Sequence, residues 1–224
     1  MKYVLNITEK FKTNSVPENI KPMSDYMKGK FEFFGIKTPE RRKLSKEIFA
    51  EFGYPDEQEF EKVIRKLWAE PQREVHYFTL DLIHKLQKKL KKNYLQLWED
   101  LIVTNSWWDS VDGLAAGVIG EHFKTYPDEI YPVTEKWINS GNIWLQRTSL
   151  LFQLKYKADT DEKLLSDYIL RLKDSNEFFI KKAIGWILRE YSKTNPDYVT
   201  NFVKENTISE FSKREAMKWL NSRK

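Results

Sequence analysis

Phe178-Phe179-Ile180-Lys181-Lys182-Ala183-Ile184-Gly185-Trp186 is answered 33 residues later by Phe211-Ser212-Lys213-Arg214-Glu215-Ala216-Met217-Lys218-Trp219. Phenylalanine leads both stretches, and a basic residue, an alanine and a tryptophan fall at matching places. Moving back along the chain, Asn142-Ile143-Trp144-Leu145-Gln146-Arg147 aligns with Glu177-Phe178-Phe179-Ile180-Lys181-Lys182, Trp144 on Phe179, at an offset of 35. Trp108 lies 36 residues before Trp144. A unit of this length, made of two helices, cannot bury its apolar face alone. Stacked copies share a continuous seam, as in HEAT-like and armadillo-like solenoids.

Outward from these repeats, the rest of the chain reads as helices with short breaks. Asn6 to Phe34 is helix-rich, with interruptions at Val16-Pro17 and Lys21-Pro22, and Gly35 ends it. Thr38-Pro39-Glu40 is read as an N-cap with proline at the first helical position, opening a helix to about Phe52. Phe60, Val63, Ile64 and Leu67, then Val75, Phe78, Thr79, Leu82 and Ile83, recur at helical spacing on either side of Pro71. Leu95–Val103 and Ser106–Phe123 form another pair, and Pro127, Pro132, Gly141, Asn195 and Pro196 mark later boundaries. Period-two alternation is missing. The expectation is an all-α HEAT-like or armadillo-like α-solenoid of stacked antiparallel helix pairs with a concave basic groove, in one domain spanning 1–224.

Composition bounds the chemistry. Eight Gly and eight Pro in 224 residues leave room for long regular elements. There is no Cys, which excludes disulfides and thiolate metal sites and fits a reducing cytoplasm. No apolar run approaches the roughly 20 residues needed to span a bilayer, and Met1-Lys2-Tyr3-Val4-Leu5-Asn6 turns polar too early for a signal peptide. His76, His84 and His122 lack the spacing of a zinc site, and no glycine loop cradles phosphate. No metal, cofactor or membrane is expected, and a monomer is.

The net charge of +5 and a pI near 9.0 favour a polyanionic partner. Basic clusters recur at Arg41-Arg42-Lys43, Lys88-Lys89-Leu90-Lys91-Lys92, Lys181-Lys182 and Lys213-Arg214. The second helices of the pairs, beginning near Thr38, Arg73, Ser106, Ile143, Phe178 and Ser212, are expected to line the groove. They carry Arg41, Arg42, Trp108, Asp112, Arg147, Lys155, Lys181, Lys182, Trp186, Arg189, Lys213 and Arg214.

Ser106-Trp107-Trp108-Asp109-Ser110-Val111-Asp112 stands out in that row. Ser106 with Asp109 three residues on reads as a capping signature. Trp108 and Asp112, four residues apart, share one helix face, so an indole and a carboxylate sit side by side, suited to a cation. The plainer alternative has the tryptophans packed in the core and the aspartates solvated. Against it, a carboxylate in a groove for phosphate needs a chemical reason.

Gly35-Ile36-Lys37-Thr38-Pro39-Glu40-Arg41-Arg42, the Ser106–Asp112 stretch, Ile143-Trp144-Leu145-Gln146-Arg147 and Lys182-Ala183-Ile184-Gly185-Trp186-Ile187-Leu188-Arg189-Glu190-Tyr191 together resemble the AlkD-type DNA alkylation-repair glycosylases, over nearly the whole chain. Lys37 departs from that pattern, standing where a family member has Gln. The resemblance implies HEAT-like repeats and hydrolysis of the N-glycosidic bond of cationic alkylated purines, 3-methyladenine and 7-methylguanine, in double-stranded DNA, without extrusion of the base. It implies Trp108, Asp112 and Trp186 as catalytic residues and Arg147 as a DNA-backbone contact. Thr38, Arg42, Lys155, Lys182, Arg189 and Lys213 complete the expected DNA-binding set. The competing expectations are a HEAT-repeat protein that binds damaged or branched DNA without excision, and a protein-binding scaffold.

Overall fold

The computed structural model describes residues 2–87 and 91–222. Positions 88–90 of the Lys88–Lys92 cluster lie outside them. The chain divides between Leu97 and Trp98 into two compact units. The first holds α1 (Lys2–Thr13), α2 (Pro17–Tyr26), α3 (Thr38–Phe52), α4 (Glu57–Trp68) and α5 (Arg73–Leu86). After α6 (Leu95–Val103), whose last residues open the second unit, come α7 (Trp108–Gly113), α8 (Gly120–Thr125), α9 (Ile130–Ile138), α10 (Ile143–Leu151), α11 (Glu162–Leu172), α12 (Phe178–Tyr191), α13 (Pro196–Glu205) and α14 (Glu210–Asn221). No strand occurs among the described residues; Glu32 and Gln72 make one isolated bridge. The fold is an all-α solenoid of helix pairs. Its second helices α3, α5, α7, α10 and α12 start at Thr38, Arg73, Trp108, Ile143 and Phe178, 35 residues apart each time.

In the first unit the apolar period sets the packing. Phe60, Val63, Ile64, Leu67 and Trp68 bury one face of α4, while its Glu and Lys residues stay outside. Each such side chain stabilises by about 1.5–3 kcal/mol when fully buried. Phe11 of α1 stacks on Phe34 and meets Phe78 of α5 edge-on. The loop from 27 to 37 is fastened by Glu74, whose buried carboxylate accepts N–H bonds from Phe34, Gly35 and Ile36 at 3.1, 2.9 and 3.0 Å. Burial pushes that carboxyl up, against the pull of the three N–H groups.

In the second unit Ile180, Ala183, Ile184, Ile187, Leu188 and Tyr191 bury one stripe of α12 against Leu165, Tyr168 and Ile169 of α11 and Val199, Phe202 and Val203 of α13. A different stripe of α12 carries Phe178, Lys182, Trp186 and Arg189. Gly185 lets α14 approach closely: a Cβ there would lie 2.4 Å from Glu215 Cβ and 2.8 Å from the Ser212 carbonyl oxygen. From Trp108 to Thr125 the helix is continuous but changes pitch, with a fully buried π-helical turn over Leu114–Ile119 directly after Asp112 and Gly113.

Several expected local features differ. Ser106 does not cap the helix that follows; its hydroxyl donates to the Ile102 carbonyl at 2.6 Å and closes α6, while Trp107, in extended conformation, stands at the N-cap of α7. Lys37, not Thr38, occupies the cap of α3. Pro22 lies inside α2 and does not interrupt it; a helix with no buried residue, it is carried through at the cost of one backbone bond. Lys155 lies beyond the end of α10, which stops at Leu151.

Candidate active site

Three second helices of the second unit converge on one carboxylate. Trp108 opens α7, and Asp112, one turn on, points toward Arg147 of α10. Arg147 Nε donates to Asp112 Oδ1 at 2.7 Å and Nη2 to Oδ2 at 2.9 Å, a bidentate pair, while Nη1 donates to the Phe179 carbonyl of α12 at 2.5 Å. The arginine side chain is only 3% exposed and the aspartate 14%. Burial raises the Asp112 carboxyl above its ordinary range; the Arg147 hydrogen bonds and charge pull it down, and Asp109 nearby adds a small upward push.

A cavity of about 360 Å³ opens over this pair, lined by Trp108, Asp112, Arg147, Phe178, Phe179, Lys182, Trp186 and Arg189. Four of the lining residues are aromatic, and one of them, Phe179, packs ring to ring in a cluster with Trp107 and Trp144, at centroid separations of 4.9 to 5.8 Å. Phe178 stands at the rim, 57% exposed, against Phe179 and Phe211. The cations are tied from behind by Glu215 of α14, which holds Lys182 at 2.7 Å and Arg189 at 3.0 Å and also pairs with Lys218. Burial alone would raise the Glu215 carboxyl, but hydrogen bonds and charge from Lys182 and Lys218 outweigh it and bring it down to about 2.

Six of the residues singled out in the sequence therefore share one cavity: Trp108, Asp112, Arg147, Lys182, Trp186 and Arg189. Arg147, expected as a backbone contact, is buried, gives three of its N–H donors to Asp112 and the Phe179 carbonyl, and still lines the cavity. Lys155 is exposed on a separate cavity of about 390 Å³, shared with Lys157 and Lys193. Thr38 and Arg42 are exposed on α3 of the first unit, and Lys213 on α14. Arg41, expected among the groove cations, is buried and paired with Asp81 at 2.5 Å. Phe178, Phe179 and Glu215 were not singled out as site residues. Phe178 was within reach, since 178, 182, 186 and 189 fall on one helix face; nothing in the sequence marks Glu215 as buried.

His76 lies in the core between Arg73 and the Glu70 carbonyl, and His122 meets Glu129 at 2.6 Å. No group of three or more potential metal ligands occurs among the described residues, and no helix there is long and apolar enough to cross a membrane.

Residues 7–220 match the family model for the DNA alkylation repair enzyme. The chain belongs to the DNA alkylation repair enzyme family. A predicted DNA alkylation repair enzyme from Enterococcus faecalis is 33% identical and superposes with a TM-score of 0.85, over 92% of this chain and 96% of that one. AlkD2 from Streptococcus mutans superposes at 0.60 with 19% identity, over 80% and 89% of the two chains. The smu.31 protein of Streptococcus mutans UA159 gives 0.59 and 19%, over 80% and 96%. These last two share the fold of this chain. No curated protein matches the chain.

Proposed function

We propose that this member of the repair family is a glycosylase that hydrolyses the N-glycosidic bond of cationic alkylated purines, 3-methyladenine and 7-methylguanine, in duplex DNA. The observation that carries the proposal is Asp112: a carboxylate held by a bidentate arginine, facing a cavity walled by indoles and phenyl rings. A purine alkylated at N3 or N7 is already positively charged, so it leaves without being protonated. The glycosidic electron pair departs with the base and neutralises it, leaving positive charge on the sugar. Asp112 stabilises that charge and positions the water whose oxygen bonds to C1′ as its proton passes to solvent. Trp108 and Trp186 offer π faces to the cationic nucleotide, contacts worth about 0.5–2 kcal/mol each. Arg147 orients the carboxylate and helps keep it ionised. Lys182 and Arg189 supply charge for flanking phosphate, and Thr38, Arg42, Lys155 and Lys213 are the further proposed DNA contacts. In line with the resemblance, the damaged nucleotide stays stacked, with contacts to sugar and backbone, and the chain works as a monomer in the cytoplasm.

Release of 7-methylguanine from methylated duplex DNA, measured for the wild type and Asp112→Asn, tests the proposal. The asparagine variant is expected to lose about 10²–10³-fold in rate while still binding duplex. Duplex binding by the wild type with no release of purine supports the binding-only alternative.

A further inference from the structure

Beside the cavity lies a carboxylate that the hydrolysis does not use. Glu215 is 3% exposed, on a helix that contributes nothing to the cavity lining, yet it meets both cations of the cavity wall. Lys182 and Arg189 stand 35% and 27% exposed, so each reaches solvent while paired with Glu215. Two like charges held side by side repel, and without a counter-charge each relaxes toward its own most solvated rotamer. The packing sets where this side chain starts: Gly185 leaves the space that Glu215 Cβ and Cγ fill, and the Ser212 hydroxyl donates to the Lys181 carbonyl at 2.9 Å, fixing α14 against α12.

We propose that Glu215 is a positioning residue: it holds Lys182 and Arg189 as a fixed pair on the wall of the Asp112 cavity, and this pair forms the subsite for a backbone phosphate next to the damaged nucleotide. The inference rests on the glycosylase reading of the cavity. Each cation keeps donors to spare beyond the one used on Glu215, so an arriving phosphate oxygen is met without breaking the internal bonds. The carboxylate lowers the local positive charge by one unit, sacrificing some general affinity for DNA, and in return fixes where the phosphate sits relative to Asp112. Placement of this kind acts on rate: an ångström of error is worth roughly ten- to a hundredfold.

Charge and placement therefore pull in opposite directions when Glu215 is replaced, which separates this role from a structural one. In Glu215→Gln the side chain keeps its size and its packing on Gly185. Affinity for undamaged duplex is expected to hold or rise, with a salt dependence steeper by about one unit, while single-turnover release of 7-methylguanine falls roughly tenfold or more. In a Lys182→Met background the same replacement is expected to lower release by less than it does in the wild type, because the share of its effect that passes through Lys182 is gone while that through Arg189 remains. Glu215→Asp keeps the charge but withdraws the carboxylate by one methylene; its salt dependence stays that of the wild type and its release falls. Gln and Asp variants that both release purine at the wild-type rate overturn the inference, as does a Gln effect of the same size with and without Lys182. A wild type that releases no purine overturns the glycosylase reading instead; an unchanged salt slope in Glu215→Gln would then count separately against the phosphate subsite.

Discussion

Arg147 leaves Asp112 with two hydrogen bonds and one opposite charge in a place where water has largely been removed. Taking away the arginine strands a buried carboxylate. Arg147→Met, which keeps much of the apolar stem, is expected to destabilise the protein by about 3–5 kcal/mol in chemical denaturation. The effect has a sign in pH. With the pull of the guanidinium gone, burial raises the Asp112 carboxyl further, so this group favours the folded state only while protonated. Stability of the variant falls as pH rises from the ordinary carboxylate range through the raised value. Release depends on the ionised form, so the wild-type rate declines as pH falls through the already raised value, and the variant's decline begins at higher pH. A pH–rate profile with the variant's acid limb below that of the wild type would contradict the assignment. Trp108 and Asp112 were legible from sequence because a four-residue spacing fixes a shared face. The Asp112–Arg147 pair was not: its members are 35 residues apart, and a charged side chain reads the same whether it is solvated or locked to a partner.

Among the elements, α12 carries two functions on two stripes, an apolar seam and a cavity wall. Its place against α14 is set by a missing side chain. Gly185→Ala puts a methyl 2.4 Å from Glu215 Cβ and 2.8 Å from a backbone oxygen. The helices must move apart, at a cost of about 1–3 kcal/mol of stability by thermal or chemical denaturation, with release impaired as well because the cation wall shifts. An alanine variant as stable as the wild type would mean that the contact relaxes cheaply. The repeat was readable from sequence because each second helix restarts the same apolar and aromatic pattern, and the offsets of 33 to 36 residues surround the spacing of 35 that the helix starts keep. Caps were less readable. Ser106 bears the residue type that opens helices, yet its hydroxyl turns back to finish the previous one, since the Ile102 carbonyl lies within its reach.

For the molecule as a whole, the excess of five positive charges matters less than which cations remain available. Arg41 is engaged internally and buried, Lys182 and Arg189 are held by Glu215 but stay partly exposed, and Arg42 and Lys213 are exposed on the helices expected to meet DNA. Affinity for undamaged duplex is expected to fall linearly with the logarithm of salt concentration. Arg42→Ala and Lys213→Ala are each expected to make that slope shallower by about 0.9, and Arg41→Ala to leave it unchanged. Titration by fluorescence anisotropy at several salt concentrations reads this directly; an Arg41 variant with the larger change would reverse the division between buried and available cations.

The bond network around Asp112 takes its carboxylate from α7, its guanidinium from α10 and its carbonyl oxygen from α12, one group from each of three consecutive repeats. Chains of this architecture lengthen by tandem duplication of a repeat. Here a copy inserted between α7 and α12 would pull the three groups into non-adjacent layers and dismantle the cluster, whereas growth at either end would leave it whole. Descendants of this chain can gain or lose repeats outside the α7–α12 span while keeping the carboxylate in place.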